Sequence, residues 1–83
     1  MVQLNAGHLL SDTLHKFGIT QADLAKASGI PPNRISDFRM GKHDITLGSL
    51  QKILVALPAP ARFYFLGLLV DSAESFNPHE KAA

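Results

Sequence analysis

The chain has no cysteine, so no disulfide can staple it and no thiolate can hold zinc. That absence fits a reducing cytosol. It also leaves stability to helix packing and to a partner subunit, because 83 residues form one domain with a modest core. No apolar run has the length of a membrane span, and the N-terminus lacks the basic-then-apolar layout of a signal peptide. A soluble, cytoplasmic protein is the expectation. Catalytic signatures are missing as well: there is no clustered acid pair, no phosphate-cradling glycine loop and no nucleophile elbow. Four histidines occur, but none stands in a His-x-x-x-His or Glu-x-x-His pair. His8 and His15 would lie about 10 Å apart along a helix axis, too far for one metal. No enzyme activity, metal or cofactor is therefore expected.

Net charge is only +1, which alone says little about nucleic acid. Its distribution says more. Residues 1–62 carry seven Lys/Arg against four Asp/Glu, a balance of +3; residues 63–83 carry one Lys against three acids, a balance of −2. A balance of +3 is mild, so any phosphate contact would lean on backbone amides as well as cations.

No segment alternates like a strand; the apolar residues recur at helical spacing. Leu10, Leu14 and Phe17 share one face of a first helix from Ala6 to Phe17, which Gly18 ends. Thr20 caps a second helix, with Asp23 as a short-armed capping box. Ala22, Leu24, Ala25 and Ala27 keep that helix slim enough for a neighbour to approach closely. Gly29 permits a sharp turn that drops Ile30 into the core. Pro31 and Pro32 open a third helix, with Ile35 and Phe38 inward and Asn33, Arg34, Ser36 and Asp37 outward, and Gly41 ends it. Thr46 caps a fourth, striped by Leu47, Leu50, Ile53, Leu54 and Leu57, up to Pro58. A fifth runs from Ala61 to about Ala73, with Pro60 in its first turn, and is apolar nearly all round. Residues 75–83 read as a flexible polar tail, which leaves 1–74 as the domain.

The stretch Thr20 to Lys42, TQADLAKASGIPPNRISDFRMGK, thus holds two short helices joined by a glycine-containing turn. That is the specification of a helix-turn-helix, whose second helix enters the DNA major groove. Thr20-Gln21, Leu24-Ala25, Gly29-Ile30, Ile35-Ser36, Gly41-Lys42 and the leucine-rich helix that follows resemble the lambda-repressor/Cro-like, or XRE, family. The resemblance covers about residues 6–57; the fifth helix matches only in position and apolarity. It implies an all-α, five-helix, lambda-repressor-like fold with the helix-turn-helix at helices 2 and 3. It also implies a sequence-specific transcriptional regulator, a repressor by default, associated with the nucleoid and partnered by double-stranded DNA.

The same resemblance assigns roles. Gln21 would bond a phosphate at the start of helix 2, and Lys42 would clamp one after helix 3. Pro32, Asn33 and Asp37 occupy base-facing places, with Arg34 beside them. Asn suits adenine and Arg suits guanine, Asp could accept from cytosine N4, and Pro offers only apolar contact with a thymine methyl. The sequence departs from the family twice. Arg39 stands where a Glu is usual, and its usual helix 1 partner, an Arg, is replaced by Leu14, so Arg39 reads as free to contact phosphate. Pro31-Pro32 replaces a Ser or Thr cap.

A helix that is apolar all round needs cover on more than one face. Phe63, Phe65, Leu66, Leu68 and Leu69 are accordingly read as a homodimer interface, which would set two third helices about 34 Å apart on DNA. The alternative is that Phe63, Leu66, Leu69 and Val70 are all intrachain core. Membrane-surface binding would require a basic polar face that this helix lacks. Five helices and a tail leave no room for an effector domain, so regulation is expected through concentration, dimerisation or a protein partner. The rival reading is an antitoxin-like module that grips a partner protein with helix 5 and the tail, by family analogy.

Overall fold

The computed structural model describes residues 6–75, with side chains through Ser72. Among them every regular element is a helix: α1 (Ala6–Phe17), α2 (Gln21–Ser28), α3 (Pro32–Arg39), α4 (Leu47–Ala56) and α5 (Ala59–Ser75). The all-α, five-helix architecture expected from the sequence is the one observed. Of the tail expected over 75–83, all but Ser75 lies outside the described residues.

Local chemistry sets the helix ends. The Thr20 hydroxyl accepts from the Asp23 N–H at 3.0 Å and the Thr46 hydroxyl from the Ser49 N–H at 3.1 Å, each cap contributing about 1 kcal/mol. At α3 no side chain caps the start. Little is lost, because Pro31 and Pro32 have no N–H to satisfy, and the first bonds run from the Arg34 and Ile35 N–H groups to the Pro31 carbonyl. Gly41, at φ +77°, lets its own N–H and that of Lys42 return to the Phe38 and Asp37 carbonyls at 3.1 and 2.9 Å. This double closure ends α3 by pairing the Phe38 and Asp37 carbonyls beyond the helix.

The junction of α4 and α5 is built differently. Leu57 precedes Pro58 and is forced extended, which stops α4. Arg62 then reaches back from α5, donating from Nε to the Leu54 carbonyl at 2.7 Å and from a terminal nitrogen to the Leu57 carbonyl at 3.0 Å. Because the Arg62 N–H also bonds the Pro58 carbonyl at 2.8 Å, α5 opens at Ala59 rather than Ala61, with Pro60 in its first turn.

In the assembled fold α1 packs on α3 and α5, and α2 packs on α3 and α4. One core unites Leu10 and Leu14, Leu24 and Ala25, Ile30, Ile35 and Phe38, Ile53 and Leu57, and Ala61 and Phe65. Thr13 is buried with them, its hydroxyl donating to the Leu9 carbonyl at 2.9 Å, which removes the cost of an unpaired polar group. Gly7 lets α1 lie directly on the end of α3: a Cβ there would overlap the Phe38 carbonyl.

Three expectations change. Phe17 sits at the rim, edge-on to Tyr64 with ring centroids 5.7 Å apart, while the Lys16 ammonium lies 5.2 Å from the Tyr64 ring centre. Leu47 is 80% exposed, so α4 itself buries Ile53, with Leu50 and Leu54 half-buried, and Leu57 is buried just past its end. Phe65, expected at a partner's surface, is fully buried. It shares a helix face with Ala61 and Leu69, spaced four apart, and that face meets the core. Phe63 and Val70, on the opposite side of α5, are 67% and 55% exposed.

Candidate nucleic-acid interface

The turn Gly29-Ile30-Pro31 joins α2 to α3. Gly29 is at φ +76°, and its N–H closes on the Ala25 carbonyl at 2.9 Å. The next N–H, that of Ile30, is taken by the Ser28 hydroxyl at 3.2 Å. With Ile30 buried, the turn is pinned from beneath and both helices are fixed relative to each other.

On that frame Pro32, Asn33 and Arg34 stand exposed along the first turn of α3, while Ile35 and Phe38 fasten its other side to the core. Asp37 is half-buried. With Asn33 and Arg34 it lines a groove that is also lined by His43, Asp44 and Thr46 from the segment after α3, and by Phe38 and Ile30. His43 and Asp44 were not anticipated. No period marks a loop residue, and only their place just after Gly41-Lys42 points to them.

Arg39 departs from expectation, and the change runs through Gln21. The Gln21 amide nitrogen donates to the Pro32 carbonyl at 3.1 Å, and its amide oxygen accepts from a terminal nitrogen of Arg39 at 2.8 Å. Arg39 Nε donates in turn to the Ser11 hydroxyl of α1 at 2.9 Å. Arg39 is therefore not the free cation its sequence context suggested. It is half-buried and joined to two other helices. Ser11 lies one turn before Leu14, within reach of a long Arg side chain, so the α1–α3 link survives with a different partner. Lys42 is exposed at the far end of α3.

The arrangement thus offers a short rod with two unobstructed polar side chains, flanked at one end by an amide anchored to the protein and at the other by a lysine. Residues 14–63, from the last turn of α1 into α5, match the family model described as helix-turn-helix. Neither the curated proteins nor the solved structures give a match to this chain.

Proposed function

From the premise that this chain belongs to the helix-turn-helix family, in its lambda-repressor/Cro-like branch, and so is a DNA-binding transcription regulator, we propose that it is a sequence-specific repressor acting as a homodimer. The observation that carries the base-reading part is the placement of Asn33 and Arg34, exposed side by side on the first turn of a helix whose back is locked by Ile35 and Phe38. Asn33 pairs with adenine through N6 and N7, and Arg34 with guanine through O6 and N7. Pro32 packs against a thymine methyl, and Asp37, at the edge of the groove, accepts from cytosine. Gln21 and Lys42 hold phosphates on either side, fixing register without reading sequence.

The homodimer reading rests on α5. Phe63, Leu66 and Val70 fall at spacings of three and four, with Gly67 between them, on the side away from the core. Leu68 and Leu69 are half-buried and lie nearer the core-facing side, Leu69 packed on the core itself, so they contribute at most the margin of the interface; Phe65 takes no part. Residues 1–74 would then read DNA and dimerise as one unit. A bound dimer represses by occluding polymerase.

Selection of oligonucleotides by the purified chain, repeated with Arg34→Ala, tests the reading. The wild type should enrich a two-fold related site. The variant should lose about 1–3 kcal/mol of discrimination at one base pair of each half, with other positions unchanged. An identical selected motif for both proteins would show that α3 is not the reader. Placed over a promoter, the selected site should lower reporter output when the protein is supplied; increased output would replace repression with activation.

A further inference from the structure

We propose that Arg39 is a positioning residue for Gln21, setting the orientation in which the Gln21 amide meets a DNA phosphate. The inference rests on the reading of Gln21 as a phosphate contact. It starts from four groups on three helices: Ser11 Oγ, the Arg39 guanidinium, the Gln21 amide and the Pro32 carbonyl, linked in series at 2.9, 2.8 and 3.1 Å.

A glutamine amide can present either its oxygen or its nitrogen to a neighbour, and only the nitrogen can donate to a phosphate. Here the choice is fixed from both sides. The guanidinium donates only, so the end of the amide facing Arg39 must be the oxygen. The Pro32 carbonyl accepts only, so the end facing it must be the nitrogen. Of the two amide N–H bonds one is used and one is left over, and that second N–H is the donor a phosphate can take.

The fork of the guanidinium is what makes this possible. Nε–H points at Ser11 and a terminal N–H at Gln21, two directions from one planar group, a geometry that a lysine ammonium does not reproduce. A cation serving only to neutralise phosphate would be replaceable by lysine. A cation that orients Gln21 would not.

The test is a double-mutant cycle on DNA binding by the full chain. The probe is a mixed-sequence duplex three helical turns long, titrated by anisotropy at several salt concentrations. Arg39→Lys keeps the charge and removes the fork; affinity should fall about tenfold with the slope of log affinity against log salt unchanged. Gln21→Ala should fall by a similar factor, and the combined variant no further than either alone. Losses that multiply, or an Arg39→Lys protein that binds like the wild type, overturn the proposal. Should Arg39→Lys fail to fold, Ser11→Ala replaces it, since it removes only the anchor of Arg39. A loss in the wild-type background that vanishes in the Gln21→Ala background supports the proposal, and an equal loss in both overturns it. A wild type that ignores the duplex at low salt removes the phosphate role of Gln21 and this inference with it, whereas binding with multiplying losses removes the role of Arg39 alone.

Discussion

Helices α3 and α5 meet the same core with opposite compositions. α3 is 8 residues long and gives that core Ile35 and Phe38. α5 is 17 residues long and carries Phe63, Tyr64, Phe65, Leu66, Leu68, Leu69 and Val70, yet among its described side chains only Ala61 and Phe65 are fully enclosed. The helix with fewer apolar residues has the more legible orientation. What encodes rotation about a helix axis is contrast between faces, not total hydrophobicity. In α3, two apolar positions three apart among polar ones leave a single way to face inward. In α5 every rotation buries something apolar, so the choice falls to its neighbours. Ala61 is small enough for the helix to approach the core, and Arg62 hooks the last carbonyls of α4, which together fix which side turns in.

The largest effect should come from the residue that comparison singles out. Phe65→Ala opens a cavity at the centre of the core and should cost about 3–5 kcal/mol, enough to leave a domain of this size largely unfolded. Urea denaturation followed by circular dichroism reads it. A loss below that of an ordinary surface change would mean that α5 is rotated differently from the description above.

The outward side of α5 should behave in the opposite way. Phe63→Ser combined with Val70→Ser leaves the core untouched, so unfolding of the monomer should change little. Self-association should weaken instead, each side chain contributing about 1.5–3 kcal/mol if buried between subunits, before association costs. Sedimentation across a concentration series measures this. A wild-type chain that stays monomeric throughout would leave the α5 stripe without a partner and end the homodimer reading.

The same contrast explains how much could be read in advance. The caps at Thr20 and Thr46, the turn at Gly29, and the inward pairs Leu10/Leu14, Ile35/Phe38 and Ile53/Leu57 depend on spacings of a few residues, which periodicity reports. The placement of Asn33 and Arg34 outside followed from the same pattern. What was not legible depends on residues far apart in the chain. Gly7 is required by the Phe38 carbonyl, and Arg39 is held by Ser11, 28 positions away. Arg62 acts on a different helix from its own, and Phe65 turns inward because of what surrounds α5 rather than what composes it. Leu47 fits the α4 period but lies at the first turn, beyond the edge of the core, where none of the described helices covers it.

The finest test concerns a residue whose removal should leave stability untouched. Asn33 is exposed on α3 and is not part of the core cluster. Alanine is also a better helix former than asparagine, by a few tenths of a kcal/mol. Asn33→Ala should therefore shift unfolding by less than about 0.5 kcal/mol, and any shift should be toward greater stability. On DNA the same change removes a two-bond match to adenine, so one base pair per half-site should become tolerant while the salt dependence stays as it was. Stability and recognition would then be separable within a single turn of α3, Asn33 serving the DNA and Ile35 serving the fold. A variant that lost stability and kept its base preference would reverse that assignment, placing Asn33 among the residues that hold α3 in place.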